Sequence, residues 1–526
     1  MASSLIADSF LADSRFADAL ARLPDYLGSH VLVSMAAMAL GLGVSLPLAV
    51  FALRRPLLRS VLLGAASVIQ TVPGLALLTL FYPLLLALSA LSGTLIGVEF
   101  SALGFLPSVL ALALYSMLPV LRNTITGLSA VPDGIHDAAR ALGLTRRKTF
   151  WLVDLPIAMP VVMAGIRTAT VWVIGTATLS TPIGQTSLGN YIFAGLQTQN
   201  WVFVLFGCCA AAALALAVDR CLAAMETGVA QRSHRSLALG AFGLVLIAFA
   251  ALAPQLARPQ AHYTIGAKTF SEQYVLAALI EEQLAAAHLL AARREGLGST
   301  VIFNALAAND IDAYVDYSGT IWANHMHRHD VKPRAEVLAE VGAWLKETHG
   351  ITMLGSLGFE NAYALAMSRT RAQALGIRSI ADLARQAPQL AIAGDYEFFA
   401  RPEWKALQAA YGLSFATERQ MQAEFMYPAA ADGAVDVITA FSSEGLIAKY
   451  DLVVLDDPKQ ALPPYDAMLL IAPGRAGDRA FIAALKPLVG AIDIGTMRDA
   501  NLRAASGAPP DSVAQWLRSR IAGKRR

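Results

Sequence analysis

Three cysteines in 526 residues (Cys208, Cys209 and Cys221), all in or beside one apolar run, offer neither metal-type spacing nor a disulfide framework. They read as small core or lipid-facing residues. Charge is scarce as well. Only 15% of residues are Asp, Glu, Lys or Arg, against about 25% in soluble domains. With 56% of residues hydrophobic, that composition excludes an ordinary soluble enzyme. A net charge of +2 lacks the basic excess expected of a nucleic-acid binder, so no nucleic-acid partner is expected. No G-x-x-x-x-G-K-S/T phosphate loop occurs anywhere, so ATP hydrolysis by this chain is not expected. No Ser-His-Asp or paired-carboxylate arrangement stands out, and no catalytic residue is assigned.

What charge there is lies unevenly. The first 254 residues hold 14 Lys and Arg and 10 Asp and Glu; the remaining 272 hold 27 and 29. A membrane-like half precedes a soluble-looking half. Apolar runs at about 30–53, 57–91, 103–121, 157–179, 200–219 and 236–253 each approach the roughly 20 residues a spanning helix needs. The second run is expected to break at Pro73-Gly74 and Pro83 but to count as one crossing. Arg54, Arg55 and Arg59, then Arg122, Arg140, Arg146, Arg147 and Lys148, then Arg220, Arg232 and Arg235 follow alternate runs. The loops at 92–102 and 180–199 contain no Lys or Arg. By the positive-inside rule the arginine-rich loops face the cytoplasm, and the chain beyond Pro254 faces the periplasm or cell exterior. The opening residues lack a basic n-region and a sufficient h-region, so the first span is expected to direct insertion. The tail over 1–28 is expected to lie on the surface as an amphipathic piece. Gln70, Asn123, Arg167 and the stretch STPIGQTSLGNYIFAGLQTQNW are polar near membrane depth, where such groups face a pathway or a partner helix.

The basic insert DAARALGLTRRKTFWLVDLP, residues 137–156, then falls on the cytoplasmic side. Asp137-Ala138-Ala139, Gly143 and Leu155-Pro156 resemble the coupling loop of ABC-importer permeases. There the order is Glu-Ala-Ala, three residues, Gly, nine residues, then a hydrophobic residue ahead of Leu-Pro. Asp137 replaces the usual Glu and Val153 the usual Ile. The resemblance implies two short helices separated by Gly143, seated in a groove on a cytoplasmic ABC ATPase present in two copies. It also implies a homodimer through the transmembrane domain, because one permease copy lines half a pathway. Leu155-Pro156 is expected to stop one helix and let the next begin. This chain itself binds no cofactor in that scheme; the ATP is used by the partner.

From YTIGAKTFSEQ onward, strands alternate with helices, which predicts parallel α/β lobes with a site at the strand C-terminal ends. Residues 262–522 resemble the two-lobed binding proteins for quaternary-amine osmoprotectants such as glycine betaine, choline and carnitine. GAKTFSEQ, DYSGT, EFFARPEW and PPYDAM match that family in order and spacing. The resemblance places an aromatic cage at Tyr317, Tyr363 and Tyr465, with Phe441 where a tyrosine is usual. Arg401 matches a ligand-clamping arginine, and Lys268, Thr320 and Asn361 match lesser contacts. A quaternary ammonium has no N–H, so ring faces must hold it, at about 0.5–2 kcal/mol each. An arginine suits a carboxylate. Together these favour glycine betaine, carnitine or ergothioneine over choline. Trp322, Phe398, Phe399 and Tyr427 are further aromatic candidates without a firm match.

His325, His327 and His329 cluster, with 325 and 329 on one helix face. No further Cys or His partner accompanies them, so a solvated cluster is expected and no metal ligand is assigned. The expected architecture is a tail (1–28), a six-span α-helical permease domain (29–254) with its coupling loop at 122–156, a linker (255–261), and an α/β two-lobed, extracytoplasmic substrate-binding domain (262–526). The expected function is a subunit of an ATP-driven importer of a quaternary-ammonium osmoprotectant in the bacterial inner membrane. Import of ergothioneine or another amino-acid derivative is the alternative. A membrane-anchored ligand sensor is the competing class.

Overall fold

The computed structural model describes residues 14–96, 100–197, 200–256, 262–328, 330, 332–395, 398–459 and 461–524. The chain divides into two compact units, one formed by residues 1–193 and 202–259 and the other by 260–526 together with 194–201. Residues 1–13 of the expected tail, 257–261 of the expected linker, and His329 lie outside the described residues.

The first unit is all helix. Its helices include α1 (Ser14–Ala52), α2 (Pro56–Thr71), α3 (Gly74–Ile96), α4 (Phe105–Ser129), α5 (Asp133–Ala141), α6 (Leu155–Ala177), α7 (Trp201–Ala230) and α8 (His234–Leu256). Six stretches among the described residues are long and apolar enough to cross a membrane, and α2 is too short to count among them. Pro73-Gly74 does separate α2 from α3, whereas Pro83 sits inside α3 without ending it. Helix α4 is the central one, packed against α1 and α6. Close approach rests on small residues: a Cβ on Gly41 would fall 1.9 Å from Ser116 Oγ, and one on Gly165 2.8 Å from the Pro119 carbonyl.

Two expectations for this unit need correction. Residues 14–28 are no surface tail; they are the first turns of α1. Ala19 is fully buried, Leu23, Tyr26 and Leu27 pack into the bundle, and the Tyr191 hydroxyl donates to the Ala19 carbonyl at 2.6 Å. The spacing of those apolar positions makes one helical stripe that continues into the span. Nor does Leu155-Pro156 stop a helix. Residues 150–154 form a wide turn in which the Leu155 amide reaches back five residues to the Phe150 carbonyl, and α6 follows directly. The wider turn accommodates the proline ring without a break in direction.

The second unit carries two five-stranded sheets. One, ordered β2-β1-β3-β10-β4, uses β1 (Tyr263–Lys268), β2 (Ala291–Leu297), β3 (Ala313–Tyr317), β4 (Thr352–Glu360) and β10 (Asp466–Ile471). The other, ordered β7-β6-β8-β5-β9, uses β5 (Tyr363–Ser368), β6 (Ala391–Gly394), β7 (Thr417–Gln420), β8 (Val437–Phe441) and β9 (Leu452–Val454). The sheets are mixed, not wholly parallel as expected. β10 runs antiparallel to β3 and β4, and β5 antiparallel to β8 and β9. The cause is topological: the chain passes between lobes twice, after β4 and after β9, and the entering strand runs the opposite way. Helices α9 (Ser271–Ala286) and α10 (Ile494–Ala505) close the first lobe.

Candidate functional site: an aromatic cage and a membrane-side hairpin

Strand direction gathers the rings. Tyr317 and Phe441 end β3 and β8, whereas Tyr363 begins β5 and Tyr465 immediately precedes β10. Because β5 and β10 are antiparallel to their neighbours, their starts share an edge with the others' ends. Tyr363 is the register partner of Phe441. The Asn361 amide donates to the Tyr465 carbonyl at 2.9 Å, tying the two crossings together.

The structure brings three of the sequence-predicted cage and clamp residues around Tyr363. Its ring centroid lies 4.8 Å from Phe441 and 5.6 Å from Tyr465, and the Arg401 guanidinium carbon sits 5.1 Å above it. Phe398, 5.2 Å from Tyr363, joins them. Tyr317 enters from the other lobe through Phe270, which is 6.1 Å from Tyr317 and 6.5 Å from Phe441. Tyr317, Tyr363, Tyr465 and Arg401 are all buried. Sequence reasoning missed Phe270, although it lies inside the quoted GAKTFSEQ motif.

Hydroxyls and charges are paired with equal care. Tyr317 donates to the Glu272 carboxylate, and Tyr465 to that of Glu403. Burial holds both phenols well above their usual range, so they stay protonated donors. The Arg401 guanidinium lies 3.3 Å from the Glu403 carboxylate and 3.5 Å from the Tyr465 hydroxyl. The Lys268 ammonium pairs with the fully buried Asp316 and lies 5.6 Å from the Tyr317 ring, so its charge serves Asp316 first. Thr320 is buried one turn beyond Tyr317, next to Gly319, whose Cβ would fall 2.4 Å from the Tyr465 ring. Asn361 donates to Glu272 at 3.1 Å. An aromatic cluster with a guanidinium at one side can hold a cation against ring faces and an anionic group at Arg401.

Other candidates lie elsewhere. Trp322 donates to the Asp330 carbonyl beneath Arg328, and Tyr427 belongs to the core of the second lobe. Phe399 packs on Phe398 and Trp404. Whereas His327 is exposed, His325 departs from the expected solvated cluster: it is half-buried and stacked 3.9 Å from Phe303, and burial pushes its pKa down to about 4. An aromatic surface was available for the imidazole to cover.

In the helical unit, α5 ends in a tight cap. Gly143 is left-handed at φ +73°, its amide donates to the Arg140 carbonyl, and the Leu144 amide reaches Ala139. Ala139 is buried, while Asp137 and Ala138 are exposed, Asp137 pairing with Arg140. His136 Nε2 meets Asp154 Oδ1 at 2.9 Å and pins α5 to the segment entering α6. Leu142, Trp151 and Leu152 are largely exposed. Of the polar groups at membrane depth, Gln70 donates to the Tyr115 carbonyl and Asn123 to the Pro119 carbonyl. Arg167 binds Asp219 and Glu226 on α7.

Residues 41–231 match the family described as the binding-protein-dependent transport system inner membrane component, and residues 261–519 the substrate binding domain of the ABC-type glycine betaine transport system. The glycine betaine/carnitine/choline transport system permease protein OpuCB of Bacillus subtilis (strain 168) is 36% identical over 210 residues, which are 40% of this chain and 89% of that protein. The chain is an ABC-importer permease fused to a substrate-binding domain. This fusion is also 29% identical over 438 residues, 80% of the chain, to the ergothioneine transport permease/ergothioneine binding protein EgtU of Helicobacter pylori (strain G27), covering 76% of it. A crystal structure titled glycine betaine/carnitine/choline ABC transporter is 27% identical, with a TM-score of 0.44, and covers 49% of the fusion and 98% of that chain.

Proposed function

We propose that this permease–binding protein fusion imports a small trimethylammonium compound that also carries a carboxylate, such as glycine betaine or carnitine. The observation that carries the reading is the surround of Tyr363: three further rings within 5.6 Å and a buried guanidinium over its face. Rings suit the ammonium, and Arg401 suits the carboxylate. Ergothioneine, itself a trimethylammonium carboxylate, is the second reading, favoured by the relative that matches across both units.

In this scheme the binding domain faces the periplasm or cell exterior, and residues 133–156 face the cytoplasm. A separate ABC ATPase docks on Leu142, Trp151, Leu152 and the exposed edge of α5. Two copies of the permease form the pathway and two ATPase subunits power it. The arginine-rich loops support that orientation. Fusion holds the receptor at an effective concentration of order mM near its own channel.

Calorimetry on the purified full chain with glycine betaine, carnitine, choline and ergothioneine tests the ligand class. At least one carboxylated member is expected to bind more tightly than choline. Absence of binding by every trimethylammonium compound sinks the reading. Co-purification of an ATPase with the wild-type chain, lost on Asp137→Lys, tests the partner.

A further inference from the structure

Glu272 opens α9, and its side chain is fully buried. Four donors converge on it. The Tyr317 hydroxyl and the Asn361 amide reach Oε1; the Ser443 hydroxyl and the Asn501 amide, each at 2.6 Å, reach Oε2. The donors come from β3, from the first crossing between lobes, from the loop after β8 and from α10. Amide nitrogens only donate, so this donor set matches a carboxylate better than a carboxylic acid.

The other buried acids beside the cage have cations of their own: Asp316 has Lys268, and Glu403 has Arg401. Among the described residues Glu272 forms no ion pair. Burial pushes its carboxyl up, and the hydrogen bonds from Ser443, Tyr317, Asn501 and Asn361 oppose that push. A buried carboxylate without a counter-ion is expensive, and a cation arriving nearby relieves that expense.

Resting on the cationic-ligand reading above, we infer that Glu272 is the fixed counter-charge of the cage, acting through the ring of Tyr317 on the ligand's ammonium. A phenol that donates its proton to a carboxylate carries more electron density on its ring face, which strengthens a cation–π contact. The same carboxylate gathers donors from both lobes, so the charge and the lobe contacts are set by one group. Glu272 is a positioning residue; Tyr317 stands between it and the ligand.

The test compares glycine betaine with tert-butylacetate, its carbon isostere, which keeps the shape and the carboxylate but lacks the ammonium. Affinities are measured on the full chain. Wild type is expected to prefer glycine betaine strongly. Glu272→Gln is expected to cut that preference by roughly tenfold or more, the scale of one charge acting across a ring inside a protein. A purely structural role would weaken both ligands alike and leave the ratio unchanged, which overturns the inference. Tyr317→Phe keeps the ring and severs the link, so it gives a second answer should E272Q fail to fold. A lowered ratio supports the inference, and an unchanged one overturns it. A wild-type chain that does not discriminate between the two compounds overturns the cationic reading itself, and the inference falls with it.

Discussion

Tyr363→Ala is expected to weaken binding of the trimethylammonium ligand by roughly 30- to 1,000-fold, at about 1.4 kcal/mol per factor of ten. Two losses combine. A cation–π contact is worth up to about 2 kcal/mol when desolvated. Removing a buried ring also unseats its aromatic neighbours, at about 0.5–1.5 kcal/mol per aromatic pair. Phe441, Tyr465 and Phe398 all lie within 5.6 Å of that ring, and Arg401 sits above it, so the ring joins several walls at once. Tyr363→Phe keeps the face and is expected to lose less than about tenfold in affinity, since the cation–π attraction belongs to the ring. Calorimetry on the full chain checks both. Retention of near wild-type affinity by the alanine variant would place the ligand elsewhere.

The second large effect separates transport from binding. Gly143→Val is expected to abolish uptake in cells or proteoliposomes while the full chain still binds ligand. A Cβ there meets nothing within 4 Å, so sterics with neighbours are not the cause. The left-handed backbone is the cause: about 1–2 kcal/mol for an L-residue, and more for a β-branched one. Relief comes by opening the cap, which swings α5 away from the segment it is pinned to through His136 and Asp154. Gly143→Asn, which tolerates that conformation, is expected to keep most uptake. Asp137→Lys complements it. Asp137 and Arg140 are both well exposed, and a surface pair contributes little to stability. Lost uptake in a stable Asp137→Lys protein therefore reports a lost partner contact. Intact uptake in both the valine and the lysine variants would remove this hairpin from the transport cycle.

Much of this was legible in the chain because it is written locally. Runs of apolar residues announce spans, and a glycine after a short polar helix announces a cap. The rings were legible only through the resemblance of their motifs to a known family of binding domains; the structure then places them at or next to strand ends. What escaped depends on distant partners. Glu272 reads as an ordinary helix-opening glutamate until Asn501, 229 residues away, is seen to donate to it. Lys268 reads as a ligand contact, and its pairing with Asp316, 48 residues away, is visible only in the fold. The antiparallel strands follow from the double crossing between lobes, which no period-two pattern encodes. The helix through Pro156 depended on a wide turn that proline spacing alone does not reveal, and Phe270 was hidden by its neighbours in the same motif.

The register of Tyr363 opposite Phe441 has a consequence for how such receptors diversify. Side chains on a strand alternate faces, so deleting or adding one residue inside β5 or β8 would turn an aromatic wall outward and present its small neighbour, Ala364 or Ala440, in its place. New cargo preferences can thus arise here by exchanging one side chain for another, but not by changing strand length. Lineages that retune this receptor should show their gaps in the connecting loops and none in these two strands.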